Sequence, residues 1–447
     1  MHPGSVAGTG SHSAAVESAS AMTVRVNAVK SARARGVWPI RTTAMATPTT
    51  APILSRGLVH GARMHVQTLS GIFLAAYRQA KTAPLCFESP MSTLFDPIRL
   101  GAIQAPNRIL MAPLTRGRAT REHVPTPIMA TYYAQRAGAG LILTEATGIS
   151  REGMGWPYAA GLWSRAQVEA WKPVTAAVHA AGGGIAVQLW HMGRVVHSDM
   201  GGAQPVSASD GAAPGEARTY DGNKPQETAR ALRLDEIPRL IEDYRHATRN
   251  AIEAGFDAVQ LHAANGYLID QFLRDSSNHR TDAYGGSIAN RIRLLVEVAS
   301  AVAGEIGADR TAVRISPLGM SQGVEDSAPE RLFPAAAAAL SQLGLAFLEV
   351  REPREPGPAE RDQRVTALIR AAFKGPLVLN ASYNVETGSA VLAAGRADAI
   401  AFGRSFLANP DLPQRLARRL PLNRDDMRTH YTQGVEGYTD YPAAEQI

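Results

Sequence analysis

The chain has 447 residues, enough for two or three domains or one large α/β barrel, and 45% hydrophobic content supplies a sizeable core. Its formal charge of +6 is concentrated in residues 1–90, where nine Lys/Arg face Glu17 and Glu88, leaving about −1 for the rest. A folded part without excess positive charge offers nucleic acid no footprint, and the single cysteine, Cys86, leaves it without disulfides, Cys-ligated zinc or iron–sulfur clusters.

Residues 1–90 are rich in Ala, Ser, Thr, Gly and Arg and show no sustained apolar period. They read as a disordered extension, with a targeting leader as the alternative, because Arg- and Ser-rich, acid-poor segments resemble transit peptides. Met91-Ser-Thr-Leu-Phe-Asp-Pro looks like a natural start for the folded domain, 91–447. No apolar run is long enough to span a membrane, so a cytoplasmic protein is expected.

From Leu94 onward, short apolar runs alternate with amphipathic segments. The runs are Arg108–Ala112, Gly140–Ala146, Gly184–Trp190, Ala258–Ala263, Thr311–Ser316, Ala346–Val350, Pro376–Asn380 and Asp398–Gly403. Between them, Ser164–Ala181, Asp235–Ala254, Asn290–Ile306, Pro329–Leu343 and Val385–Ala394 read as helices, each followed by a Gly stop. Strand and helix alternating eight times predicts an α/β fold, a single (β/α)8 TIM barrel. A doubly wound sheet is the runner-up, but no GxGxxG follows a strand. Gly193 to Leu232, about forty residues of Gly, Ser, Pro and Asp after strand three, reads as a cap over the barrel mouth.

Barrel enzymes place their chemistry at the carboxyl ends of the strands. Here those ends offer Pro113-Leu114-Thr115, Glu145-Ala146-Thr147, Gln188-Leu189-Trp190-His191, then His262 with Asn265 and Tyr267. Arg314, Glu349, Asn380-Ala381-Ser382 and Gly403-Arg404 complete the ring. No lysine stands ready for a Schiff base, no serine sits in GxSxG, and no cluster has zinc-ligand spacing. Gly403-Arg404 after the last strand suits an anion such as a phosphate, which barrels often bind between strands seven and eight.

Ala112-Pro-Leu-Thr-Arg116, Val187-Gln-Leu-Trp-His-Met-Gly-Arg194, Leu261-His-Ala-Ala-Asn-Gly-Tyr267, Ser277 to Ser287, Ala401-Phe-Gly-Arg404, Asn409-Pro-Asp-Leu412 and Glu436 to Pro442 resemble the Old Yellow Enzyme family. The nearest branch in pattern is that of the bacterial N-ethylmaleimide, nitrate-ester and morphinone reductases. The resemblance runs from about Leu94 to Pro442. It implies an FMN-containing barrel that takes hydride from NADPH or NADH and reduces the C=C bond of an enone, nitroalkene or maleimide.

Under that resemblance His262 and Asn265 hold the substrate oxygen and Tyr267 gives the proton. Pro113, Leu114, Thr115, Ala146, Gln188 and Arg314 contact the flavin, Arg314 by a fixed charge at its N1/C2=O edge. Asn380, Ala381, Ser382, Gly403 and Arg404 hold the phosphate. Trp156, Trp190, Gln322 and Tyr438 line the substrate side. The fragment Asn278 to Ser287 has no catalytic account and is expected to be structural.

Two departures stand out. Trp156 follows Gly155 where the branch commonly has Tyr, and Asn380-Ala-Ser382 stands where a Gly pair is frequent. Other readings remain: a nitrate-ester or nitro-compound reductase on the same FMN site, which needs no Tyr267, and a silent flavin barrel or a phosphate-binding lyase. The absent cysteines and the ending at Ile447 argue against the larger relatives with an iron–sulfur domain. A monomer or homodimer with a small-molecule substrate is expected.

Overall fold

The structure, a computed structural model, describes residues 92–200, 202–353 and 359–444; the extension expected over 1–90 lies outside the described residues. All eight expected strands form. They are β1 (Ile109–Met111), β2 (Ile142–Gly148), β3 (Ile185–Trp190), β4 (Ala258–Ala263), β5 (Thr311–Ile315), β6 (Phe347–Arg351), β7 (Leu377–Asn380) and β8 (Ala399–Phe402). Each pairs in parallel with its neighbour, and β8 pairs with β1 to close the barrel. The helices outside it include α1 (Pro127–Ala134), α2 (Arg165–Ala180), α3 (Ile237–Glu253), α4 (Arg293–Ile306), α5 (Pro329–Ser341), α6 (Ala359–Ala372) and α7 (Val385–Ala393). No helix among the described residues is long and apolar enough to cross a membrane.

Local chemistry sets these boundaries. Ser164 caps α2 in a capping box with Gln167, and Asn384 does the same for α7 with Thr387. Gly307 ends α4 at φ 92°, a conformation that a side chain would resist. The helix expected over Asn290–Ile306 is broken at Ile292, with a short turn Ile288–Arg291 ahead of α4.

Strand alternation sorts the barrel into layers. Along β4, Val259, Leu261 and Ala263 pack outward into the main core with the helices, whereas Ala258 belongs to a separate interior cluster. That cluster, with Ala186, Ala312, Phe347, Ala399 and Ala401, fills the barrel floor and is closed below by the antiparallel pair Ile98–Leu100 and Ile103–Ala105. Two residues further along the same inward rows stand Gln188, Gln260, Arg314 and Glu349, all buried. A further step brings Trp190 and His262 to the mouth. In β2 a register shift between Leu143 and Ala146 breaks the alternation, and the Gln188 N–H donates to Thr144 Oγ1 at 3.3 Å there.

The segment expected as a cap does cover the mouth. It contains the hairpin Glu216–Thr219/Gly222–Pro225, and Val206–Ser207 pairs with Arg230–Ala231. Tyr220 holds the hairpin down, donating to the Arg121 carbonyl at 3.0 Å and meeting Tyr158 edge-on. The signature fragment after β4 has a structural role, as expected. Arg280 donates to the carbonyls of Ala208 and Leu232 at the two roots of the cap, and Asn278 Nδ2 donates to those of Phe272 and Tyr284.

Candidate active site

β4 ends in a turn that is shaped by its surroundings. Asn265 has φ 59° and Gly266 φ 77°, successive left-handed residues. A Cβ at Gly266 would lie 2.4 Å from the Ser321 carbonyl, so only glycine lets the neighbouring loop approach. Asn tolerates the left-handed region better than most side chains. Here its N–H is held by Ser316 Oγ at 2.8 Å, while that of Gly266 donates to Asp270 Oδ2 at 2.9 Å. Asp270 is in turn paired with Arg274 at 2.7 Å, both buried.

This turn delivers His262, Asn265 and Tyr267 to one corner. The Tyr267 ring meets His262 edge-on at 4.9 Å and Trp190 edge-on at 5.0 Å. His262 Nδ1, Asn265 Oδ1 and Trp190 Nε1 are all buried without a hydrogen-bond partner. Orphaned polar atoms are costly, and their concentration at a cavity marks a site whose remaining partners are ligand atoms. Burial, reinforced by Arg314 and Arg351, holds the His262 pKa well below the ordinary histidine value. The ring is therefore neutral, and the Tyr267 phenol is pushed up by burial and by Tyr431 nearby, so it stays protonated.

The corner opens into a cavity of about 380 Å³ lined by Pro113, Leu114, Thr115, Arg116, Trp156, Trp190, Arg218, Tyr267, Arg404, Leu407, Met427, His430 and Tyr431. Three of its walls lie outside the strand ends of β2, β3, β4 and β8. The loop after β1 supplies Thr115. The cap supplies Arg218, whose guanidinium lies over the rings of Trp156 at 5.0 Å and Tyr431 at 4.9 Å. The C-terminal segment supplies Met427, His430 and Tyr431.

Below the mouth, the inward polar layer is one continuous chain. Gln188 Nε2 donates to Gln260 Oε1 at 2.8 Å, and Gln260 Nε2 donates to Glu349 Oε2 at 2.7 Å. The other oxygen of Glu349 lies 3.0 Å from Arg314 Nε but off the hydrogen-bond axis, so that contact is Coulombic. Arg314 Nη2 donates to Asn380 Oδ1 at 2.6 Å, and Asn380 Nδ2 to the Ala401 carbonyl at 2.7 Å.

Of the residues expected at the site, Pro113, Leu114, Thr115, Trp156, Trp190, Tyr267 and Arg404 line the cavity. His262 and Asn265 adjoin it, and Gln188, Arg314 and Asn380 join below. Ala146 packs with Trp190 and Met192 in the cluster behind the wall. Ala381-Ser382 and Gly403-Arg404 follow the adjacent strands β7 and β8.

Two placements correct the expectation. Tyr438 does not face the cavity: it is fully buried, stacked on Tyr132 at 4.0 Å and covered by Arg118 at 4.6 Å. Gln322 is also absent from the lining and instead uses its carbonyl to accept from Arg194 Nη2 at 3.0 Å. Arg314, expected as a fixed charge, lies 3.0 Å from Glu349. The sequence reading missed Arg116, Arg218, Leu407, Met427, His430 and Tyr431 as lining residues; the only available signal was Arg116 directly after Thr115.

The chain matches the model of the NADH:flavin oxidoreductase / NADH oxidase family over residues 93–423. The Old Yellow Enzyme homologue from Zymomonas mobilis is 61% identical, with a TM-score of 0.77 over 78% of this chain and 99% of that one. Morphinone reductase, solved in complex with tetrahydroNAD, is 45% identical, with a TM-score of 0.75 over 79% and 98%. 12-Oxophytodienoate reductase 1 of Oryza sativa subsp. japonica is 44% identical over 361 residues, 79% of this chain and 94% of its own. With the barrel, its capped mouth and the donor-lined corner already in place, these likenesses settle the family: the chain belongs to the NADH:flavin oxidoreductases as an FMN-dependent NAD(P)H oxidoreductase of the Old Yellow Enzyme type.

Proposed function

We propose that the site reduces the C=C bond of α,β-unsaturated carbonyl or nitro compounds, with His262 and Asn265 binding the substrate oxygen and Tyr267 supplying the proton. The observation that carries this assignment is the corner itself, where His262, its Nδ1 buried without a partner, meets the Tyr267 ring edge-on and Asn265 stands on the turn between them. FMN suits the residues around it. The cavity has the volume of a small-molecule site, the loop of Pro113–Thr115 offers an apolar wall with one hydroxyl, and Arg404 brings a fixed charge for a phosphate. Gln188 and Arg314 face a pyrimidine edge in this reading, while Asn380, Ala381, Ser382 and Gly403 form the phosphate end. When bound, FMN accepts hydride from NADPH or NADH and passes it to the alkene.

The protein's own part is electrostatic and positional. Charge builds on the carbonyl or nitro oxygen as the β-carbon is reduced, and preset donors from His262 and Asn265 stabilise it as an oxyanion hole does. His262 must donate as a neutral imidazole, which its burial ensures. Tyr267 remains protonated until the substrate anion forms and then gives its proton to the α-carbon. Trp156 and Trp190 wall the substrate and exclude water from this transfer. The chain is further proposed to act in the cytoplasm, as a monomer or homodimer.

Purified protein tests the reading directly. It should be yellow, bleach anaerobically with NADPH or NADH, and regain colour on addition of cyclohexenone. Protein that takes up no FMN, or that stays bleached with every enone and nitroalkene offered, would end it.

A further inference from the structure

Gln260 and Glu349 lie outside every expected ligand contact, yet both are wholly buried in the barrel interior. Polar and charged side chains there cost stability unless they are paired, and apolar residues would fill the same layer without that cost. Their pairing has a direction. As the carboxylate of an ion pair, Glu349 can only accept. Gln260 must therefore turn its Nε2 toward Glu349 Oε2, which leaves its Oε1 as the acceptor for Gln188 Nε2. The Gln188 amide is thereby fixed with its oxygen available as an acceptor toward the mouth. Glu349 also faces Arg314, whose Nη2 is committed to Asn380. A buried Arg–Glu pair is close to neutral as a unit, so Glu349 offsets part of the charge that Arg314 brings to the site.

We infer that Glu349 is a positioning residue for the cofactor site: through Gln260 it fixes the polarity of the Gln188 amide, and through Arg314 it offsets the positive charge at the pyrimidine edge. The inference rests on the FMN reading above. It modifies the reading of Arg314 as a fixed charge at the flavin edge, since the pair as built offsets that charge. FMN held there would give up hydride more readily than beside an unpaired arginine.

The test uses the full-length FMN-loaded chain, with the flavin midpoint potential measured by dye-referenced titration and FMN dissociation constants measured on oxidised protein. Glu349→Gln should raise the potential by about 30 mV or more, the equivalent of tenfold in the ratio of oxidised to reduced FMN dissociation constants. Glu349→Asp, which keeps the charge, should hold the wild-type potential. Gln260→Met keeps the ion pair but frees the Gln188 amide. It should leave the potential in place while weakening oxidised FMN binding about fivefold, the size of one hydrogen bond. A Glu349→Gln potential equal to wild type, or an Asp variant shifted as far as the Gln variant, overturns the inference. If Glu349→Gln does not fold, Gln260→Met decides, and an unchanged FMN dissociation constant overturns it. A wild-type chain that binds no FMN instead overturns the functional reading beneath.

Discussion

The ring of Tyr438 lies flat on that of Tyr132, centroids 4.0 Å apart and planes 6° from parallel. Around this stack, Arg116, Arg118 and Arg136 place guanidinium groups over the rings, the closest 3.7 Å from the Tyr132 centroid. The same arginines donate to backbone carbonyls of the C-terminal segment: Arg116 to His430 and Gly437, Arg118 to Thr429, His430 and Glu436. The stack thus anchors the segment that brings Met427, His430 and Tyr431 to the cavity, and it ties that wall to the loop carrying Thr115.

Tyr438 separates an anchoring from a substrate role. Its hydroxyl is buried without a partner, so Tyr438→Phe should leave alkene turnover unchanged and alter stability by no more than about 1 kcal/mol. Tyr438→Ala removes the stacked ring and should cost about 3–5 kcal/mol in denaturant unfolding. Lost turnover in a fully folded Phe variant would contradict this.

Tyr267→Phe removes the proposed proton donor and keeps the ring. Alkene turnover should fall about 10²–10⁴-fold while reduction of bound FMN by the nicotinamide is spared. Denitration of a nitrate ester needs no such proton and should be largely retained. Stopped-flow measurement of the two half-reactions separates these outcomes.

His262 is held neutral by burial and by the arginines nearby, far below its ordinary range. The pH profile of kcat/KM for an enone should therefore show no inflection near ~6.5 from this residue. His262→Ala should lower turnover about 10²–10³-fold, the size of one oxyanion donor.

Glu145 is fully buried, its oxygens 3.4 Å from the Tyr133 hydroxyl and the Arg116 N–H, and burial pushes its pKa up to about 7, opposed by the Arg116 contacts. Between pH 4.5 and 7 the native state keeps a proton that the unfolded chain has lost, so its contribution to stability falls as pH rises. Glu145→Gln should therefore gain on wild type by ~3 kcal/mol across that window, read by urea unfolding at both ends. A pH-independent difference would show that the carboxyl ionises freely.

Arg218 is exposed on the cap and touches the rings of Trp156 and Tyr431. Arg218→Ala should raise KM for the alkene a few-fold, since an exposed cation–π contact contributes about 0.5–1 kcal/mol. FMN affinity should be unchanged. A loss of FMN with this variant would place the hairpin over the cofactor and not over the substrate.

The sequence by itself determined the barrel, all eight strands, the cap and the grouping of His262 with Tyr267 after β4. Those features are local. Strand alternation and helix caps such as Ser164 with Gln167 are dictated by neighbours within a few residues, so they can be read in order. Where each inward side chain finds its partner was decided only by the closed barrel. Gln188, Gln260, Glu349 and Arg314 lie on four strands and become one chain because barrel stagger brings their layers level. The placement of Tyr438 was likewise hidden, because its aromatic ring suits a substrate wall as well as a core. Only contact with Tyr132, some 300 positions earlier in the chain, made it an anchor.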